Sequence, residues 1–195
     1  MTSYISAPPM KTTKAYKLFE IRKSEPGNLF PLFIGRDKPT PFGQWIPAEH
    51  IPTKGFAARP GWHTGVLPMA PHLRTKLNVM AQNRVWAEVE IPDDVDWQKE
   101  ADNSSTGDIR DKVPEGGHYR FKTSKMQGGA WMIGGAIRVN RILTDKDVAV
   151  ILHDAGHGDE APHERHVSLT EAQEKTLKAI IGKRRGEFDP DEPAT

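Results

Sequence analysis

Residues 84–91, Arg-Val-Trp-Ala-Glu-Val-Glu-Ile, alternate apolar and polar side chains and stop at Pro92, Asp93 and Asp94. Val85, Ala87, Val89 and Ile91 fall on one side of an extended chain, and Trp86, Glu88 and Glu90 on the other. No other segment commits so firmly to one conformation, and it commits the chain to a sheet. Residues 16–22 read as an earlier strand, with Leu18, Glu20 and Arg22 on one side and Phe19 and Ile21 on the other. Pro26 and Gly27 sit where a turn needs them. A second strand over 29–34 then makes the first forty residues a hairpin.

Further along, residues 44–46 read as a short extended piece. Leu73, Leu77 and Met80 predict a helix over 71–81, opened by Pro71. Residues 97–114 are polar and read as an exposed loop or lid. Residues 117–122 form a strand. A longer one over 130–143 is interrupted by Gly134 and Gly135, which mark a bulge or a place where another backbone or a ligand comes close. A short helix follows over 145–152. The fold class is α+β: a bent, mostly antiparallel sheet with one or two short helices and a C-terminal helix. The domain spans residues 14–152. Residues 153–195 are a polar linker, a helix capped by Ser168 and Glu171, and a tail.

At 195 residues the chain suits one domain with a tail, or at most two small ones. Its 27 basic and 26 acidic residues leave a net charge of +1, with no global attraction to nucleic acid or anionic lipid. There is no Cys, which removes disulfides, thiolate metal sites and thiol nucleophiles, and fits a reducing compartment. No apolar run approaches the length of a membrane span, and residues 1–14 lack a secretory signal pattern. The expectation is a soluble, cytoplasmic protein with no membrane partner.

The densest chemistry lies in residues 56–72. Arg59, Trp62, His63 and Thr64 sit there among Pro and Gly that fix an irregular path. Arg holds anions, Trp stacks on flat rings, and His and Thr exchange hydrogen bonds with hydroxyls. A rigid loop with Trp62 in the core and His63 on the backbone explains the same residues about equally well. Four His residues, His153, His157, His163 and His166, have spacings that suit a metal on a helix. Gly156, Gly158 and Pro162 break such a helix, and a polar hinge is the better reading. Glu88 and Glu90 share a face, read as solvated. No phosphate-binding loop, nucleophile elbow or Gly-x-Gly-x-x-Gly fingerprint occurs.

Three blocks carry a resemblance. Residues 59–65 with 70–73, residues 85–94, and residues 131–142 are similar to a set of largely uncharacterised proteins of phages and mobile elements, found singly or within large polyvalent proteins. The resemblance covers roughly residues 16–150. A looser one is to the ADP-ribosyltransferase-like fold. It implies a nicotinamide or ADP-ribose pocket in which Arg22 and Arg59 hold the pyrophosphate and Trp62 stacks on a ring. His63 and Thr64 would contact ribose, Gln127 would stand where that fold carries its catalytic Glu, and Gln127 and His63 are the catalytic candidates. The late strand here has no Glu, so the resemblance implies binding of NAD or a related nucleotide more than turnover. Arg22, Arg59 and His63 are expected to face one cleft. The alternative is a non-enzymatic phage accessory protein, acting in the host cytoplasm. It would bind a host protein or nucleic acid through Lys175, Lys178, Lys183, Arg184 and Arg185. A metal-dependent hydrolase built on the His cluster ranks third.

Overall fold

The computed structural model describes residues 7–52, 59–73, 83–123 and 129–157. In chain order these give β1 (Thr12–Ile21), β2 (Leu29–Pro31), β3 (Ile46–Pro47), β4 (Trp62–Gly65), a single 3₁₀ turn (Pro71–Leu73), β5 (Arg84–Pro92) and β6 (Val95–Asp96). Then come α1 (Gln98–Asn103), β7 (Gly117–Lys122), β8 (Ala130–Gly134), β9 (Ala136–Ile142) and α2 (Asp145–Asp154). The class is α+β, as the sequence implied, with nine strands in one mostly antiparallel sheet. The rest of the helix expected over 71–81, and the whole of that over 168–181, lie outside the described residues.

The sheet runs β3-β9-β5-β1-β4-β8-β7-β6, with β2 beside β1. β1 and β5 form its longest ladder, from Thr12 opposite Pro92 to Glu20 opposite Arg84. The expected hairpin is present, Phe19 facing Pro31 and Ile21 facing Leu29. Its second strand is shorter than the sequence suggested. Pro31 has no N–H to extend the ladder, and Phe33 and Ile34 beyond it are exposed in a turn.

The single residue Gly135 separates β8 from β9, yet along the sheet β5, β1 and β4 stand between them. Both hold only if the sheet curls until β8 comes back to β9. The Gly pair marked the place. A Cβ on Gly135 would lie 2.1 Å from the Pro114 carbonyl oxygen, so another backbone does come close there. Inside the curl lies the main core, with Ala15, Phe19 and Ile21 from β1, Val85, Ala87, Val89 and Ile91 from β5, Met132 from β8, and Ile137 and Val139 from β9. Full burial of such side chains stabilises by about 1.5–3 kcal/mol each.

The outer face is covered twice. α2 lays Val148 and Leu152 on Tyr16, Leu18, Trp86 and Leu143. Its start is fixed by a capping box in which the Thr144 hydroxyl accepts from the Asp147 amide and the Asp147 carboxylate accepts from the Thr144 amide. Beside it, Glu88 and Glu90 are not a freely solvated pair. Arg141 reaches Glu88 at 3.2 Å, Lys14 reaches Glu88 at 3.5 Å, and Arg138 pairs with Glu90. Neighbouring β9 supplies both arginines, which the sequence of β5 alone could not disclose. Arg141 also lies 3.4 Å from Asp147, so one cation joins sheet and helix cap.

The second cover corrects the expected lid over 97–114. That segment contains α1 and packs inward. Ala101 and Ile109 join Tyr119 and Ile133 in a third apolar cluster, flanked by Trp97 and Phe121. Asp108 is buried with them.

Candidate functional site

β1 changes neighbours part-way along one edge. Tyr16 pairs with Gly65 of β4, whereas residues from Phe19 onward pair with β2. Lys17 and Leu18 fall between. β4 continues along β8 over its whole length. The sheet therefore splits just beyond the Tyr16–Gly65 pair, and Lys17 sits at the split.

Strand parity places Lys17 with Ala15 and Phe19, on the inner face. Its ammonium donates to the His63 backbone oxygen at 2.9 Å, the carbonyl that the parted strands leave without a ladder partner on β1. It also lies 5.5 Å from the Trp62 ring centroid and 5.7 Å from that of Phe19. Cation–π attraction of this kind is worth about 0.5–2 kcal/mol. Among the described residues no carboxylate reaches it.

Lys17 keeps some contact with solvent, as do Trp62 and His63. Yet protein surrounds Lys17 so closely that burial brings its pKa down from 10.5 to about 8. Lys17 is thus half-buried on the inner face, its ammonium beside the His63 carbonyl and the Trp62 and Phe19 rings. A cation in that position without a counter-ion is held at a cost of desolvation.

No protein-family model matches the chain, and no curated protein or solved structure matches it.

The residues singled out from the sequence divide between several places. Trp62 stands beside Lys17 on the inner face, its indole N–H donating to the Ile46 oxygen at 2.9 Å. Thr64 is inside as well. It is fully buried, and its hydroxyl donates to the Met132 oxygen at 3.0 Å, so it is committed to the β4–β8 seam. His63 lies between them in a strand, not a loop. It is opposite Ile133, and the period of two turns its ring to the other face. There Nε2 donates to the Arg59 oxygen at 2.8 Å. Burial first lowers the His63 pKa. The bond to Arg59 opposes this, and the charges of Lys17 and Arg59 reinforce it. The ring is therefore neutral at pH 7, with Nδ1 its free lone pair.

Arg59 belongs to that outer face. Its guanidinium lies 3.8 Å from the Phe121 centroid, and Nε donates to Asp108 at 3.1 Å. Burial pushes the Asp108 pKa up, but hydrogen bonds from Thr106, Arg59 and the Arg110 amide outweigh it and hold the carboxyl below its ordinary value. Nearby, the buried Tyr119 hydroxyl has no partner of good geometry, and the Ile109 backbone is the polar group that acts on it. Burial, then the Asp108 charge, takes its pKa to about 12.

Arg22 is elsewhere. It stacks 4.0 Å over Phe30 and binds Glu20 at 2.8 Å and the Arg36 oxygen at 2.7 Å, with Asp37 at 3.7 Å. None of these partners is shared with Arg59 or His63. The expected cleft thus brings together Arg59 and His63 on one face and Trp62 with Lys17 on the other, and Arg22 in neither. Gln127 lies outside the described residues, as do His163 and His166. His153 is an exposed side chain 3.5 Å from Asp154. Among the described residues no group of three or more potential metal ligands gathers.

Proposed function

We propose that the protein binds a nucleotide of the NAD or ADP-ribose type, with an anionic group at Lys17 and a ring beside Trp62. The observation that carries this is the Lys17 ammonium, held beside two aromatic rings with no carboxylate in reach among the described residues. An arriving phosphate would supply the missing counter-charge, and charge-assisted hydrogen bonds are about twice as strong as neutral ones. Class of ligand comes from the ADP-ribosyltransferase-like resemblance, and with it the reading of a phage-type protein. Lys17 takes the anion-holding place that the resemblance gave to Arg22, whose nitrogens are already engaged. The proposal is one of binding. His63, named with Gln127 as a catalytic candidate, turns its ring to the other face of the sheet, towards the Arg59 carbonyl.

Titrating NAD and ADP-ribose into the folded protein tests it. Binding should quench Trp fluorescence, and Trp62→Phe should remove much of the signal while keeping the affinity. Lys17→Met should weaken binding by about 1.5–3 kcal/mol, the scale of a hydrogen bond to a charged group. Failure of both ligands to bind at millimolar concentration sinks the reading. The accessory-protein alternative, resting on basic residues 175–185 outside the described part, would then lead.

A further inference from the structure

The end of the sheet at β7 carries an inference that does not depend on nucleotide binding. In the β7–β8 ladder the Thr123 amide donates to the Gly129 oxygen and the Gly135 amide to the Gly117 oxygen, so the odd-numbered residues of β7 turn their backbone groups to β8. Those of His118, Arg120 and Lys122 point the other way. β6 meets that edge in parallel, with Val95 opposite Gly117 and Asp96 opposite His118. Continued in the same register, it would bring position 98 opposite Arg120. The chain turns into α1 there instead, and the Gln98 side chain takes the place of the missing strand. Its Oε1 accepts from the Arg120 amide at 2.7 Å, and its Nε2 donates to the Arg120 oxygen at 3.3 Å. Asp102 accepts from the same Nε2 at 2.9 Å, and Asp96 accepts from the Gln98 backbone amide at 2.9 Å, so the residue is held at both ends. Among the described residues the edge goes no further: the outward backbone groups of Lys122 meet no strand.

Unpaired backbone groups on an edge are a template for another chain. We infer that Gln98 guards the edge of β7 against a second copy of this protein, by occupying the backbone groups through which two β7 strands would pair antiparallel. A side-chain amide carries the donor and acceptor of a peptide group, so it satisfies Arg120 and presents no further strand behind it. A second copy is the partner to be kept off, because it brings an identical edge to every solution of the protein. The exposed Arg120 and Lys122 lie on one face of β7. An antiparallel β7–β7 pair would set these cations opposite one another, a second brake that salt weakens. The far end of the sheet is closed in a comparable way. There the Ile46 oxygen of β3 accepts from the Trp62 indole, and Pro47 has no N–H to offer.

The test is the mass of the full chain against concentration, by sedimentation, at about 0.1 M and about 1 M salt, between which the screening length falls from about 10 to about 3 Å. Gln98→Met keeps the length and helix propensity of the side chain but has no N–H and only a weak acceptor. It should self-associate at least about tenfold more tightly than the wild type, since both Arg120 bonds are released in each copy. The association should tighten at the higher salt. Hydrogen exchange locates the contact. In the wild type the Arg120 amide should exchange more slowly than the Lys122 amide. In dilute Gln98→Met the two should exchange alike, and in concentrated Gln98→Met both should slow. Gln98→Asn, one methylene short of the strand, serves if Gln98→Met does not fold. A folded variant that keeps the wild-type mass at every concentration and at both salts overturns the inference. So does association that leaves the Lys122 amide fast, and so does a wild-type Arg120 amide no slower than that of Lys122.

Discussion

Nε of Arg59 stands 3.1 Å from a carboxylate oxygen of Asp108, whose side chain is only 2 % exposed. This pair ties the segment entering β4 to the one following α1. Removing Arg59 would leave the Asp108 charge enclosed without compensation, which costs about 3–5 kcal/mol in buried pairs. Asp108→Asn leaves the partly exposed Arg59 and is expected to lower unfolding free energy by about 1.5–3 kcal/mol in urea titrations, the scale of hydrogen bonds to a charged group. The acid limb gives a second check. The Asp108 pKa is depressed in the folded state, so its contribution is present above the unfolded value and is lost as pH falls through the folded one. The wild type should lose its advantage over Asp108→Asn below about pH 4.

Lys17 behaves in the opposite sense. Its folded pKa is below its unfolded one, so the burial penalty is complete below about pH 8 and is relieved as pH climbs towards 10.5. That displacement corresponds to roughly 3 kcal/mol, from which the lost bond to His63 removes about 1 kcal/mol. Lys17→Met should therefore stabilise the protein by about 2 kcal/mol at pH 7. Denaturation across pH 7 to 11 should show the gain fading. A variant less stable than wild type at pH 7 would contradict the assignment.

Gly135 allows the turn from β8 into β9 against the Pro114 backbone. Gly135→Ala should cost about 3 kcal/mol, because the obstacle is main chain and cannot rotate away. Gly43→Ala is the comparison. There φ is +71° and the space is open, so the cost should be about 1 kcal/mol from conformation alone. Equal midpoints for the two variants would mean that the curl tolerates an opening at Gly135.

The domain boundary read from the sequence, Leu152, cuts the last turn of α2. The helix continues to Asp154, and the His157 amide closes back on the Leu152 oxygen at 2.8 Å. A chain ending after His157 should melt within about 4 °C of the full chain, less than roughly 1 kcal/mol. One ending at Leu152 should melt lower. Circular dichroism melts of the three chains decide it.

Alternation made the strands legible. Val85 to Ile91 has its period written in side chains, and Phe19 and Ile21 announce the inner face of β1. Lys17 has the same parity, so the signal for the candidate site is a lysine on the apolar side of a strand. Residues 62–64 read as a loop because Pro and Gly crowd a strand only four residues long. Its partners on β8 lie far along the chain. Asp108 was hidden for a related reason. Polar neighbours made its segment look exposed, while its burial depends on Arg59 and Tyr119, brought there by the sheet.

The pairing of Lys17 with Ala87, and of β4 with β8, also sets a timetable. Pairing across such sequence separations is slow and comes late. A nascent chain that has made β1 and β2 already owns the amine, but it is an ordinary solvated lysine, as basic as any other. Only when β5 and then β8 have been made and have closed the curl is the same nitrogen drawn out of most of its water. The lowered pKa of this side chain thus belongs to the completed sheet and not to its first strands.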